Sequence, residues 1–329
     1  MELRTLGSSD LQLTPVGLGT WAMGGGDWKA SWGPQDDQAS VDTVHAALDA
    51  GINWIDTAAV YGLGHAETVV GRALKETARR PLIATKCGRV WPEGVRDQIH
   101  GRLTADSVRA ECEASLRRLG VDTIDLYQIH WPDPDDQIEE AWQAIAGLIE
   151  AGKVRHAGVS NFSVAQLQRA QAVAPVVSLQ PRYNLLQREL EHGVLPFCRQ
   201  QNIGVVGYSS MAKGLLTGKV TSGWVAALPA DDHRRGEELY QPDALEALAP
   251  KLAALRDLAV GHKVSRVEIA LAWSFHQPGL TSAIGGARRP EQVSPLAAAM
   301  HVRLSADDLQ MLDALFPLAA DAVAPAARK

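Results

Sequence analysis

The sequence has few cysteines and no long apolar segment. Its 329 residues include three cysteines, Cys87, Cys112 and Cys198, and their spacing fits neither a metal-ligand pattern nor a disulfide framework. We therefore expect no metal site and no disulfide bonds. No segment approaches the ~18 consecutive apolar residues of a membrane-spanning helix, so a membrane is not an expected partner.

An excess of basic residues is also lacking. The chain carries 32 Lys and Arg against 38 Asp and Glu, a net charge of −6 at pH 7, whereas nucleic-acid-binding domains present a basic face. Nucleic acid is therefore not an expected partner. The first residues, MELRTLGSSD, lack the basic and apolar regions of a secretory signal. Together with the scarce cysteines, this indicates a reducing, cytoplasmic location.

What the chain does contain is a repeat of short apolar segments and helical patterns. The apolar segments do not alternate with polar residues, which is typical of parallel strands buried on both faces. Eight such units predict an α/β fold: a closed (β/α)8 TIM barrel with an N-terminal β-hairpin and long βα loops at its C-terminal face. One domain is expected over residues 1–329. The predicted strands are 16–19, 52–55, 82–85, 124–129, 154–159, 176–179, 203–207 and 280–284.

Helices are predicted between most of these strands, often closed by glycine. Thr104 and Ser305 are expected to cap the helices that they precede. The tail after Phe316, rich in Ala and Pro, is expected to be poorly ordered or to lie over the barrel mouth. Loops are predicted at 23–35, 88–102 and 217–242. The predicted helices are 37–50, 104–119, 137–151, 164–173, 190–201, 244–260 and 266–276.

Three successive predicted strands are followed by chemically active residues: Asp56, Lys86 and His130. The C-terminal ends of barrel strands converge on one face, with neighbouring strands about 4.8 Å apart. Each residue alone is more often a helix cap, a surface charge or a packing residue. An acid, an amine and an imidazole side by side predict an active site.

Tyr61 follows Asp56 by five residues, in the loop before the next helix. A phenol has a pKa near 10, and a buried ammonium group beside it lowers that pKa. We predict that Asp56 keeps Lys86 charged and that Lys86 acidifies Tyr61. His130 is expected to orient a carbonyl oxygen that receives the Tyr61 proton. These groups supply no hydride, so a cofactor is expected.

The residues after the later strands suggest where that cofactor binds. Glycines, an arginine pair (Arg288 and Arg289) and Pro290 follow the eighth strand, a composition suited to a phosphate at a helix N-terminus. Barrel enzymes commonly bind phosphate after the seventh and eighth strands. Tyr208 offers a flat face for a nicotinamide ring, and Asn161 and Gln180 can bind its carboxamide.

The tryptophans fall into two groups. Three lie within strand or helix patterns and are expected in the core: Trp54, Trp142 and Trp273. Five fall in loops that follow strands: Trp21, Trp28, Trp32, Trp91 and Trp131. An aromatic rim suits an apolar or sugar-binding pocket. The predicted substrate pocket is formed by Trp21, Trp32, Trp91 and Trp131.

Eight segments of the chain resemble, in content and order, the aldo-keto reductase superfamily. They are GLGTWAMGG, GINWIDTAAVYG, IATKCG, DLYQIHWPD, GKVRHAGVSNFS, SLQPRYNLLQRE, GVVGYSSMAKGLLTGK and SAIGGARRPEQV. The combination of IHWPD, GVSNF and YNLLQRE is similar to the bacterial branch that includes general-stress reductases. The resemblance implies a catalytic tetrad of Asp56, Tyr61, Lys86 and His130, with Tyr61 as the proton donor.

The resemblance also implies NADPH as the cofactor, with NADH less expected. The implied contacts at the nicotinamide end are Gly19, Thr20, Trp21, Asp56, Ser160, Asn161, Gln180 and Tyr208. Those at the pyrophosphate are Ser209, Met211, Lys213, Gly214 and Leu215. Those at the adenosine phosphate are Gly286, Ala287, Arg288 and Gln292. The sequence departs from the family at Ser294 to Leu296, where Glu-Glu-Asn often helps to bind adenine.

The expected function is therefore NADPH-dependent reduction of aldehydes, ketones or sugar-type carbonyls to alcohols, with Tyr61 as the general acid. Two alternatives remain open at this point. One is a regulatory subunit that binds the cofactor with little turnover. The other is a cofactor-free barrel lyase or isomerase in which Lys86 forms a Schiff base.

Overall fold

The structure, a computed structural model, describes residues 2–318. Eight parallel strands form a closed barrel in which neighbours along the chain are neighbours in space, and the eighth strand pairs with the first. This confirms the predicted (β/α)8 TIM barrel. The barrel strands, first to eighth, are Val16–Gly19, Trp54–Asp56, Leu82–Cys87, Ile124–Ile129, Val154–Ser160, Ser178–Gln180, Gly204–Gly207 and Leu280–Gly286.

Helices pack around the barrel, mostly where they were predicted. The helix that follows Tyr61, whose bounds were not predicted from the sequence, is His65–Lys75, and its N-cap is Gly64, which offers no capping side chain. Ser305 forms the expected capping box. Thr104 does not cap with its side chain, and Glu140 Oε1 accepts from the Ala105 N–H at 2.7 Å instead. The α-helices are Asp37–Asp49, His65–Lys75, Ala105–Leu119, Ile138–Glu150, Val164–Val173, Val194–Gln200, Ser222–Ala226, Pro242–Gly261, Arg266–His276, Val293–Ala299 and Ala306–Leu315.

The long loops contain more structure than the sequence indicated. Residues 88–102 include an unpredicted antiparallel pair, Arg89–Val90 with His100–Gly101. The segment 217–242 includes the helix Ser222–Ala226 and short 3-10 turns. Most of the predicted tail lies outside the described residues. Within residues 2–318, no helix is both long and apolar enough to cross a membrane.

The predicted N-terminal hairpin is present and closes the lower end of the barrel. Arg4–Thr5 pairs antiparallel with Gln12–Leu13. Leu6, Leu11 and Leu13 of this segment are buried against interior side chains of the barrel, including Trp54 and Leu126. Gly7 packs closely on the backbone of Val177 and Gly204, near the starts of the sixth and seventh strands. The hairpin therefore lies at the N-terminal end of the barrel. The loops and the site lie at the opposite, C-terminal face.

This plug predicts a difference between two leucines. Leu11 is 1% exposed, whereas Leu3 is 49% exposed. Leu11→Ala leaves a cavity and is expected to lower the free energy of unfolding by about 2–5 kcal/mol. Leu3→Ala is expected to change it by about 0.5 kcal/mol or less. Urea denaturation measures both, and equal losses would contradict a buried plug.

Candidate active site

The barrel's geometry aligns Asp56, Lys86 and His130 on one face. Asp56 ends the second strand, and Lys86 lies one residue before the end of the third. Asp56 pairs with Ala84, whereas Lys86 pairs with Gln128, two residues before His130. Lys86 therefore lies two residues beyond the partner of Asp56, and His130 lies two residues beyond the partner of Lys86. Residues two apart share a face of a strand, so all three side chains point toward the barrel interior.

Lys86 and Asp56 form a buried ion pair below the barrel mouth, with side chains 0% and 4% exposed. Lys86 Nζ donates to both carboxylate oxygens of Asp56 and to the backbone oxygen of Thr57, each at 2.8 Å. Three acceptors thus match the three donors of an ammonium group. Gln180 Nε2 adds a further hydrogen bond to Asp56 Oδ1 at 2.7 Å. Neither charge is left unpaired inside the barrel.

Tyr61 and His130 face each other beside this ion pair. The Tyr61 hydroxyl oxygen lies 3.5 Å from Lys86 Nζ. The Tyr61 and His130 rings meet edge to face, with centroids 5.7 Å apart. The structure therefore brings together the four residues that the sequence singled out for catalysis.

The acidity of Tyr61 differs from the prediction. We predicted that Lys86 would lower the pKa of Tyr61, whereas burial and the negative charge of Asp56 raise this pKa well above its usual range. Lys86 does not offset these effects, because its nearest partner is the Asp56 carboxylate at 2.8 Å. Burial also lowers the pKa of Lys86, although Asp56 opposes this shift. Tyr61 therefore keeps its proton at neutral pH.

His130 is a neutral imidazole at neutral pH. Burial lowers its pKa well below the usual range, and the positive charges of Lys86 and Arg89 act in the same direction. A neutral imidazole has one N–H donor and one acceptor nitrogen. His130 can therefore donate a hydrogen bond to a carbonyl oxygen, as its predicted role requires.

The residues expected to hold a nicotinamide form a connected set across the barrel mouth. Tyr208 donates its hydroxyl hydrogen to Asn161 Oδ1 at 2.9 Å, and Asn161 Nδ2 donates to Ser160 Oγ at 3.0 Å. Ser160 Oγ donates to the backbone oxygen of Gln180 at 2.7 Å. The bond from the Gln180 side chain to Asp56 was not foreseen from the sequence. It joins this set directly to the ion pair.

A backbone cradle follows the seventh strand. Ser209, Ala212, Lys213 and Gly214 have φ angles of 55°, 46°, 53° and 109°. Such left-handed turns direct backbone N–H groups into a concave anion site, and non-glycine residues hold them where the surrounding structure imposes them. Two of these N–H groups are used within the turn itself, since Ala212 donates to the Ser209 backbone oxygen and Gly214 to that of Met211. The expected pyrophosphate contacts lie within the cradle: Ser209, Met211, Lys213, Gly214 and Leu215.

The residues after the eighth strand lie beside the first strand. Gly286 pairs with Gly19, which in turn pairs with Asp56. Thr20 fixes this corner, since its backbone N–H and its hydroxyl both donate to the Asp56 backbone oxygen, at 3.0 and 3.1 Å. Ala287 is buried at this corner.

At the predicted adenosine-phosphate end, Gln292 and Arg288 are in direct contact. The Gln292 Oε1 atom accepts a hydrogen bond from the Arg288 backbone N–H at 2.7 Å. The predicted phosphate contacts are therefore gathered at the N-terminal side of one helical segment, Val293–Ala299.

Aromatic side chains surround Tyr61 on the solvent side. Trp21 stacks on Tyr61 with ring centroids 6.1 Å apart and meets Trp32 edge to face at 5.4 Å. Trp91 packs in the same cluster. These positions agree with a pocket wall at the barrel mouth.

The other tryptophans divide as expected, with one addition to the core. Trp131 carries the Arg89 guanidinium group over its ring at 5.7 Å. Trp28 is 6% exposed and donates Nε1 to the Gly25 backbone oxygen at 3.0 Å, so it is a packing residue. The three tryptophans predicted for the core are buried: Trp54, Trp142 and Trp273.

Some residues near the site carried no recognisable sequence signal. Lys213 forms an ion pair with Glu237 and lies 5.3 Å from the ring centroid of Trp21. His233 stacks on the same ring at 5.0 Å. Burial lowers the pKa of Lys213, and the positive charge of nearby Arg182 lowers it further. Glu237, His233 and Arg182 come from loops with no periodic pattern, which is why the sequence did not identify them; Lys213 itself was an expected pyrophosphate contact, but its ion pair and its position over Trp21 were not foreseen.

Comparison with known proteins places this geometry in a family. The sequence profile of the Aldo/keto reductase family matches residues 15–316. The chain belongs to the aldo/keto reductase family. It is therefore an NAD(P)H-dependent oxidoreductase, and the family reduces carbonyl groups with a nicotinamide cofactor.

Two curated relatives and one solved structure are similar over most of their length. Aldo-keto reductase YhdN of Bacillus subtilis is 36% identical over 100% of this chain and 99% of the relative. The NADH-specific methylglyoxal reductase of Escherichia coli is 35% identical over 95% and 97%. The glycerol dehydrogenase AKR11B4 of Gluconobacter oxydans superposes with a TM-score of 0.87 and 38% identity over 95% and 94%.

The buried ion pair predicts a strong effect of removing one charge. Lys86→Met leaves the Asp56 carboxylate buried without its cation, and we expect a loss of about 3–5 kcal/mol in the free energy of unfolding. The double variant Lys86→Met with Asp56→Asn is expected to recover most of this loss. Arg79→Met, in an exposed pair with Asp49, serves as a control and should cost about 1 kcal/mol or less. A single variant as stable as the double would contradict the argument.

His130 predicts a direction of pH dependence. Because its pKa is lower in the folded protein than in the unfolded chain, its contribution to stability is present above about pH 6.5. That contribution is lost as the pH falls through the folded-state pKa. The stability of wild type relative to His130→Asn should therefore decrease between pH 7.5 and pH 5, as measured by urea denaturation. A His130 ring that titrates near pH 6.5 by NMR would contradict this.

Proposed function

We propose that this chain is an NADPH-dependent reductase of aldehydes, ketones or sugar-type carbonyls, with Tyr61 as the general acid. One observation carries the proposal: a buried, protonated Tyr61 lies 3.5 Å from Lys86 Nζ and faces the neutral His130 ring. We further propose that residues 1–329 act as one domain. The buried free cysteines support a reducing, cytoplasmic setting.

The proposed chemistry divides the work between cofactor and protein. The bound nicotinamide supplies a hydride to the carbonyl carbon. Negative charge then develops on the carbonyl oxygen, where Tyr61 delivers its proton and His130 donates a hydrogen bond. A tyrosine with a raised pKa suits this direction, because the group must be protonated before it can act as an acid. Lys86 stabilises the resulting phenolate from 3.5 Å.

The proposed cofactor contacts fit a dinucleotide extended over the C-terminal face. The Asn161 and Gln180 amides and the Tyr208 ring suit the nicotinamide end, and the left-handed cradle suits the pyrophosphate. Arg288 supports NADPH, because a guanidinium group binds a phosphate bidentately. The E. coli relative is named as NADH-specific, so both cofactors belong in any assay.

The contacts of Lys86 weigh against Schiff-base chemistry. All three of its donors are engaged, two by Asp56 and one by Thr57, and its side chain is fully buried. A free, accessible amine is the starting point of a Schiff base, and Lys86 is not one. The complete four-residue site likewise favours turnover over a purely regulatory role.

A panel of small carbonyl compounds follows from the relatives and from the pocket. Methylglyoxal and glyceraldehyde belong in it because relatives are named for methylglyoxal reduction and glycerol oxidation. The Trp21, Trp32 and Trp91 side chains add an apolar wall, which favours including an aromatic aldehyde and an aldose.

Tyr61→Phe tests the proposed acid. With a reactive aldehyde and saturating NADPH, we expect turnover to fall about 100-fold or more. NADPH binding, followed by tryptophan fluorescence, should change by about twofold or less, which also shows that the variant is folded. Tyr127→Phe is a control, since Tyr127 is buried and its hydroxyl approaches the Val108 backbone oxygen away from the site. An undiminished rate in Tyr61→Phe would rule out the role of Tyr61.

A further inference from the structure

Arg288 is fastened to the 23–35 loop. Its Nε donates to Gln35 Oε1 at 2.8 Å, its Nη1 to the Trp32 backbone oxygen at 3.1 Å, and its Nη2 to the Pro34 backbone oxygen. Gln35 Nε2 returns a bond to the Arg288 backbone oxygen at 2.8 Å. Three of the five guanidinium donors therefore hold one short stretch of loop, residues 32–35.

A second attachment holds the same loop further back. Asp231 Oδ2 accepts from the Ser31 hydroxyl at 2.9 Å and from the Asp27 N–H at 3.2 Å. The backbone N–H of His233 donates to the Ser31 backbone oxygen at 3.2 Å. The loop is thus anchored at residues 27–31 by the segment 217–242, independently of Arg288.

The partners of Arg288 in the loop are neutral, although the surroundings are positive. Two are backbone carbonyls and one is an amide oxygen. The guanidinium group of Arg234 lies 4.3 Å from the ring centroid of Trp32. Burial lowers the pKa of Arg288, and the charge of Arg234 adds to this effect. Asp232, the nearby carboxylate, is already bound to Arg234 Nε at 2.9 Å.

A phosphate is a stronger partner for Arg288 than any of these neutral oxygens. Charge-assisted hydrogen bonds are about twice as strong as neutral ones, and a guanidinium group can bind phosphate with two parallel bonds. A dinucleotide with a phosphate on its adenosine ribose therefore competes with the loop for Arg288. A dinucleotide without that phosphate does not.

We propose that Arg288 is a latch on residues 32–35 that a ribose phosphate opens. Without cofactor, or with NADH, Arg288 holds Trp32, Pro34 and Gln35. With NADPH, Arg288 turns to the phosphate and releases them, while the Asp231 anchor keeps residues 27–31 in place. This inference rests on the proposed function, since it takes a nicotinamide dinucleotide to lie along this face. The two cofactors then differ in the order that they leave in residues 32–35, as well as in their affinity for the protein.

Hydrogen–deuterium exchange of the loop tests the latch without turnover. Wild-type protein is compared alone, with saturating NAD⁺ and with saturating NADP⁺. We expect the amides of Trp32, Gln35 and Asp36 to exchange about fivefold faster with NADP⁺ than with NAD⁺, because the Arg288 bonds that hold this stretch are lost. Residues 27–31 should be protected equally by both. Equal exchange of Trp32, Gln35 and Asp36, or slower exchange with NADP⁺, would overturn the latch.

Two variants separate the loop side of the latch from the phosphate side. Gln35→Ala removes a loop partner and leaves Arg288 intact, so the Kd for NADP⁺ should fall by about fivefold, the equivalent of one ordinary hydrogen bond. The Kd for NAD⁺ should change by about twofold or less. Arg288→Met removes both partnerships, so the loop should exchange faster without cofactor and the Kd for NADP⁺ should rise about tenfold. Gln200→Ala, at an exposed helix position, is the matched control.

The outcomes distinguish the latch from the function on which it rests. Tryptophan fluorescence that reports no binding of either nucleotide would overturn the proposed cofactor and the latch with it. Binding of both nucleotides with unchanged affinities in Gln35→Ala would overturn the latch alone. Tighter NADP⁺ binding in Gln35→Ala, with the opposite change in Arg288→Met, would support it.

Discussion

The ion pair between Lys86 and Asp56 is the constraint on which the rest of the site depends. A buried charge is costly unless a partner and further hydrogen bonds compensate it, and here the Asp56 carboxylate, the Thr57 carbonyl and Gln180 supply them. The barrel makes this possible because Asp56 and Lys86 lie at the ends of neighbouring, paired strands and share the interior face of the barrel. With the pair in place, the Tyr61 hydroxyl oxygen lies within reach of the ammonium group, 3.5 Å from Lys86 Nζ.

Burial and the same ion pair explain why Tyr61 keeps its proton in the resting protein. The prediction from the sequence was that Lys86, kept charged by Asp56, would lower the pKa of the phenol. Burial raises the pKa of Tyr61, and the negative charge of Asp56, which also neutralises Lys86, adds to this effect. The proton therefore stays on Tyr61 until a more basic oxygen forms within reach. In this arrangement the substrate, and not the resting enzyme, determines when the proton moves.

Much of the fold could be predicted from the sequence, because buried parallel strands and their helices leave periodic apolar patterns. The fourth strand, Ile124–Ile129, and the helix Val164–Val173 were predicted with the observed bounds. The positions of polar residues at strand ends also followed, since a barrel fixes where strand ends meet. Contacts between loops could not be predicted in the same way. The bonds from Arg288 to Trp32 and Pro34 have backbone oxygens as acceptors. Every residue carries a backbone oxygen, so such bonds cannot be recognised from the residue types.

The residues proposed for catalysis and for cofactor binding form one hydrogen-bonded network rather than two separate sets. Its members, in order across the barrel mouth, are Lys86, Asp56, Gln180, Ser160, Asn161 and Tyr208. Gln180 joins the halves, because its side chain binds Asp56 while its backbone oxygen accepts from Ser160. A carboxamide that binds Gln180 therefore acts on the same carboxylate that neutralises Lys86. Under the proposed cofactor site, binding at Gln180 would therefore act on the acidity of Tyr61 through Asp56, since a change in the hydrogen bonds of Asp56 alters the charge that Tyr61 experiences.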